Sequence, residues 1–116
     1  MLRVLQLLLA YPCGNFMIVT DDNFDNTINS HKLIMIDFWA EWCRPCKMFS
    51  PIIEEVSQET GIWLGKLNVD NELTKQVEYQ VTSIPTTILF KDGKPVKRII
   101  GAKPKHVVLE EIKEWI

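Results

Sequence analysis

The sequence predicts an α/β fold, a three-layer α/β/α sandwich around a central mixed sheet. Along most of the 116 residues, continuous apolar runs of the kind buried on both faces of a sheet alternate with segments whose apolar residues recur at helical spacing, and the breaks between them are short. Near the carboxyl end an Asp92-Gly93 pair, a hairpin signal, joins two strand-like runs directly. The order reads β-α-β-α-β-α-β-β-α. Crossover helices then connect parallel strands, and the hairpin adds an antiparallel pair at one side.

Each element has its own local reason. Residues 16–20 form a short extended run, and Thr20 or Asp21 caps a helix reaching about Ser30, with Asp21 and Asp22 in the first turn where the dipole favours acids. Residues 33–40 are almost uninterruptedly apolar and read as a buried strand. From Cys43 onward Phe49, Ile52, Ile53 and Val56 fall at helical spacing, Pro51 predicts a kink, and Gly61 ends the helix. Residues 62–69 read as strand, 71–78 as a short helix, 86–90 as strand and 95–100 as the returning arm of the hairpin. Pro104 opens a last helix that turns Val108, Ile112 and Trp115 inward.

Composition narrows the function classes. The 47% hydrophobic and 24% charged content is ordinary for a soluble globular chain. A formal net charge of −2 predicts no electrostatic affinity for nucleic acid or anionic lipid. Three cysteines are too few for a disulfide scaffold; one spaced pair with Cys13 as bystander suits a reducing compartment, and a cytoplasmic location is expected. Residues 1–16 are an apolar extension ahead of the domain at 17–116. They fall short of the roughly 20 residues a membrane-spanning helix needs, and carry one charge, Arg3, with no clean cleavage site. Three readings stay open: an upstream extension before a functional start at Met17, an export signal, or an ordered extra segment.

The chemistry concentrates in Cys43-Arg44-Pro45-Cys46, at the junction of the 33–40 strand and the following helix. Unpaired N–H groups and the positive end of the dipole favour a thiolate at a helix start. Cys43 is therefore the expected nucleophile toward a disulfide, and Cys46, one turn inward, the thiol that resolves the mixed disulfide. Free thiols titrate near ~8.5, and a value near ~7 leaves about half reactive at neutral pH; Arg44 places a positive charge beside the thiolate. Pro45 removes an N–H and fixes φ, holding the loop, though proline in a helix's first turn is also ordinary. Half of a zinc site or a structural disulfide are the alternatives for the pair, but His31, His106 and Cys13 lack ligand spacing to it. Asp37 is the odd residue in its apolar strand. Desolvation there raises a carboxyl toward neutrality, where it can exchange a proton with Cys46. Lys66, in the next apolar strand, is expected to moderate that shift by pairing with Asp37. A surface position on an edge strand is the other reading of Asp37.

Residues 17–116 resemble the thioredoxin family from end to end. The resemblance runs through Ile36-Asp37-Phe38-Trp39-Ala40, Trp42-Cys43-Arg44-Pro45-Cys46, Lys66-Leu67-Asn68-Val69-Asp70, Ser83-Ile84-Pro85-Thr86, Phe90-Lys91-Asp92-Gly93 and Gly101. It implies the thioredoxin fold, a proton-transfer role for Asp37, a cis peptide before Pro85, and reduction by a thioredoxin reductase. With such a turn opposite Cys43, Trp42, Ile84, Gly101 and Ala102 would form a shallow docking surface that binds an extended substrate largely through its backbone. Trp39 and Trp42 can equally be read as core aromatics. Arg44 stands where the family's commonest loop has glycine, which bears on redox potential and partner choice.

The expectation is a protein-disulfide reductase with no cofactor beyond its reversible Cys43–Cys46 disulfide and no metal. It would act as a monomer on oxidised substrate proteins. An exported or partner-dedicated oxidoreductase and a non-catalytic interaction module are the alternatives. The joint presence of Cys43, Cys46, Asp37 and Pro85 argues against the last.

Overall fold

The computed structural model describes residues 16–116; the readings made for residues 1–15, Cys13 included, lie outside it. A five-stranded mixed sheet holds the order β1-β3-β2-β4-β5, with β1 at Met17–Ile18, β2 at Leu33–Trp39, β3 at Trp63–Asn68, β4 at Thr86–Lys91 and β5 at Lys94–Ile100. The helices are α1 (Phe24–Asn29), α2 (Arg44–Thr60), α3 (Leu73–Glu78) and α4 (Lys105–Ile112), followed by a 3₁₀ turn at Lys113–Trp115.

Strand alternation sorts the core into two halves. Ile34, Ile36 and Phe38 of β2 join Phe24 and Ile28 of α1 on one face. Met35 joins Phe49, Ile53 and Val56 of α2 and Val108 and Ile112 of α4 on the other. Because β2 lies in the middle of the sheet and has helices over both faces, a nearly unbroken apolar sequence is what its position requires. Pro51 is accommodated within α2, which continues to Thr60 and stops at Gly61, whose φ of 75° is the left-handed conformation glycine adopts freely.

Two local expectations change. Thr20 and Asn23 brace each other, the Thr20 N–H donating to Asn23 Oδ1 at 2.8 Å and the Asn23 N–H to Thr20 Oγ1 at 3.2 Å, and α1 starts after Asn23. Asp21 instead caps a different helix: its carboxylate accepts from the Thr74 and Lys75 N–H groups of α3, at 3.1 and 2.9 Å. The second change concerns direction. β2 and β3 are parallel, but β4 already runs antiparallel to β2, with Thr86 opposite Phe38. The α3 connection is therefore not a parallel crossover, and β4 begins at the carboxyl end of β2. That reversal positions the site. Had β4 been parallel, Pro85 would have entered the sheet at the opposite end from Cys43.

Candidate active site

Four segments meet beyond the carboxyl end of β2. The first is the loop into α2. The chain leaves β2 at Trp39, turns through Glu41 and Trp42, and begins α2 with Cys43 as its amino-terminal cap. Pro45 has no N–H to offer, so the first turn presents the N–H of Cys46, which donates to Cys43 Sγ at 3.2 Å. The two cysteines are joined as a disulfide with Cα atoms 5.3 Å apart, within the range such a bridge spans without backbone movement. Cys43 is 3% exposed and Cys46 fully buried, so solvent and partners reach the outer sulfur first.

The second segment is Ser83-Ile84-Pro85, with a cis Ile84–Pro85 peptide. The Ile84 carbonyl oxygen lies 3.8 Å from Cys43 Sγ. The third is Gly101, at the end of β5, whose N–H donates to the Pro85 carbonyl at 2.8 Å; its φ of 87° is one that a side chain would strain. The fourth is Val69, just past β3, tied to β2 by its N–H to the Trp39 carbonyl at 2.9 Å.

Between the start of α2 and residues 82–84 runs an open groove of about 540 Å³. Trp42, Arg44, Pro45 and Ile84 line it together with Cys43. Trp42 is 70% exposed, its indole N–H donating to Asp70 Oδ1 at 3.2 Å, and is no core residue, whereas Trp39 is half-buried against the core. Gly101 bears on the site through Pro85, and Ala102 follows it as an exposed residue; neither lines the groove. Gln76, Val81 and Thr82 do line it, and sequence reading passed over them. Val81 and Thr82 adjoin the Ser83-Ile84-Pro85 motif and were within reach of inference. Gln76 had no such marker, since it enters the groove only because α3 docks beside Val69, with its side-chain amide donating to the Val69 carbonyl at 2.6 Å.

Asp37 sits on the central strand β2. It is fully buried at the centre of the sheet, which removes the edge-strand reading. Its register partners are Lys66 on β3 and Thr87 on β4. Among the described residues neither Asp37 carboxyl oxygen has a hydrogen-bond partner, nor has Thr87 Oγ1. Burial pushes the Asp37 carboxyl up to about 7, with Lys66 pulling it down and Glu54 pushing it further up. Lys66 does not pair with Asp37 as expected: its ammonium donates to Ser50 Oγ at 2.7 Å and to Glu54 Oε2 at 3.0 Å, both on α2, and so acts on Asp37 only through space. Among the described residues, no group of three or more His, Cys, Asp or Glu side chains converges to hold a metal ion, and no helix is long and apolar enough to cross a membrane.

Comparison with known proteins fits this geometry. A family model described as Thioredoxin matches residues 15–114. A thioredoxin of Mycobacterium bovis is 48% identical over 101 residues, covering 84% of this chain and 87% of its own. The bifunctional thioredoxin reductase/thioredoxin of Mycobacterium leprae is 46% identical over 110 residues, which are 92% of this chain and 24% of that longer protein. Among solved structures, a mutant thioredoxin from Halobacterium salinarum aligns with a TM-score of 0.81 at 26% identity, covering 88% of this chain and 91% of its own. With the sheet order, the bridged Cys43–Cys46 pair and nearly the whole described chain in agreement, the chain belongs to the thioredoxin family and is a thiol–disulfide oxidoreductase with protein-disulfide reductase activity.

Proposed function

We propose that Cys43 attacks the disulfides of oxidised partner proteins, that Cys46 resolves the mixed disulfide, and that Asp37 takes the resolving proton. The carrying observation is the Cys46 N–H aimed at Cys43 Sγ. In the reduced chain the same donor stabilises a Cys43 thiolate at the helix start. That thiolate attacks one sulfur of the substrate disulfide, forming the Cys43–substrate bond and expelling the other substrate sulfur as a thiolate. Cys46 gives its proton to Asp37 and attacks Cys43 Sγ. The second substrate thiolate leaves, and the Cys43–Cys46 disulfide remains. Two electrons have passed from the dithiol to the substrate.

Burial suits Asp37 to this task, since a carboxyl titrating at about 7 is both a competent acceptor and a competent donor at neutral pH. Trp42 and Ile84 offer apolar contact to an extended substrate, Pro85 and Gly101 hold the Ile84 carbonyl beside the reacting sulfur, and Pro45 keeps the loop in shape. A thioredoxin reductase in the cytoplasm returns the electrons. The natural joining of both activities in the Mycobacterium leprae relative supports that pairing. This chain's own steps use no metal or organic cofactor.

The test is turnover of an exposed protein disulfide with NADPH and a thioredoxin reductase. Wild type should consume NADPH in proportion to substrate, and Cys43→Ser should fall to background. Sustained turnover by Cys43→Ser would remove Cys43 from the attacking role.

A further inference from the structure

We propose that Arg44 selects partner proteins whose target disulfide is flanked by a carboxylate side chain, so that the groove before Cys43 takes an extended acidic segment. This rests on the reductase reading and names its substrate class.

Among the described residues lining the groove, Arg44 is the one with a charged side chain. It occupies the first helical position after Cys43 and is exposed. Among the described residues no ion pair or side-chain hydrogen bond engages its guanidinium, whereas six of the ten lysines, Lys47, Lys66, Lys75, Lys97, Lys105 and Lys113, have carboxylate partners. The carboxylates of the neighbouring loops are engaged elsewhere: Glu41 pairs with Lys47 at 3.4 Å and Asp70 accepts from Trp42. Arg44 is thus an uncommitted fork of donors over a largely apolar groove. A docked segment excludes water there and strengthens the attraction to a carboxylate. With a net charge of −2 the molecule as a whole does not draw acidic partners, so discrimination falls to this local charge. Guanidinium reach covers the residue or two beside the target cysteine. Charges so placed act on recognition and association rate.

The experiment uses three disulfide-bonded peptides identical except for the residue after the target cysteine, which is Asp, Asn or Lys. Each rate is divided by that of the same peptide with dithiothreitol, which removes the flank's own effect on the disulfide. For the wild-type chain at low salt, kcat/KM should fall in the order Asp, Asn, Lys, spanning about threefold to tenfold, and the span should shrink in about 0.5 M salt. Arg44→Glu should invert the order. Because each chain is compared with itself across peptides, any effect of Arg44 on the reactivity of Cys43 cancels. The substitution places an acid in the first turn of α2, where the dipole favours it, so folding is retained. A wild-type span under twofold, or an unchanged order in Arg44→Glu, overturns the proposal; ordinary turnover of the Asn peptide would then leave the reductase reading standing. A wild-type chain that reduces none of the three overturns both.

Discussion

Asp37 has both carboxyl oxygens buried with no hydrogen-bond partner among the described residues, and this sets a sign for stability against pH. Its carboxyl titrates near 3.8 when solvated and at about 7 in the fold. Between those values the folded chain holds a proton that the unfolded chain has lost, so stability falls as pH rises through the window, by up to ~4 kcal/mol. Asp37→Asn should flatten this slope, measured by urea unfolding between pH 5 and pH 8, and should leave the variant more stable than wild type at pH 8. It should also slow turnover above neutral pH, because an amide accepts no proton; wild-type rates at pH 7 to 8 would remove Asp37 from the mechanism. Glu54→Gln tests the arrangement behind it. Losing Glu54 removes a charge that raises the Asp37 carboxyl and frees Lys66 to turn toward it. Both effects lower the Asp37 titration midpoint below about 7, readable by NMR. Asp37 stood out in the sequence because an acid within an apolar strand has few explanations. The diversion of Lys66 did not, because Ser50 and Glu54 meet it only after α2 packs across β3.

At the scale of elements, the helix cap supplied from a distance is the feature local patterns miss. Asp21 lies near α1 in sequence and has the composition of its cap, yet it satisfies two N–H groups of α3 more than fifty residues on. Asp21→Ala should cost about 1–2 kcal/mol in urea unfolding. Since α3 carries Gln76 into the groove, it should also raise KM for protein disulfides while kcat holds. A KM equal to wild type would mean that α3 keeps its place without the cap. Strand identities were legible because β2, β3 and β4 are long apolar runs with turn residues between them. The direction of β4 was not. Residues 79–85 carry no periodic signal, and only their packing, with Tyr79 against Phe24 and Phe90 at 5.2 and 5.4 Å, sends the chain back to the end it came from.

For the whole molecule, the antiparallel β4 and β5 bring Pro85 and Gly101 to the end of the sheet where α2 begins. Cys43 to Cys46, Ser83 to Pro85 and Gly101 thus meet in one site, while the Asp92-Gly93 turn closes the opposite end of the sheet. The fold class and the cysteine pair were readable because they depend on local sequence, while the groove's far wall depends on where α3 docks. The boundary of the functional unit follows the same logic. Phe16, assigned by pattern to the extension, packs against the α2 and α4 side of the core with the Lys66 ammonium 4.6 Å from its ring centre. We propose that the unit begins at Phe16. A chain lacking residues 1–15 should match the full chain in melting temperature and turnover and sediment as a monomer, and removal of Phe16 as well should cost about 1 kcal/mol. A loss of several kcal/mol from the first truncation, or an oligomer that disappears with it, would contradict this boundary.

The order of attack is the centre of the account, and trapping it is the most direct measurement. Reduced Cys46→Ser, incubated with an oxidised protein substrate and analysed by mass spectrometry after digestion, should hold substrate in a mixed disulfide through Cys43 that dithiothreitol releases. Cys43→Ser should hold none. Adducts formed through Cys46, or formed equally by both variants, would contradict the assignment of Cys43 as the attacking thiol.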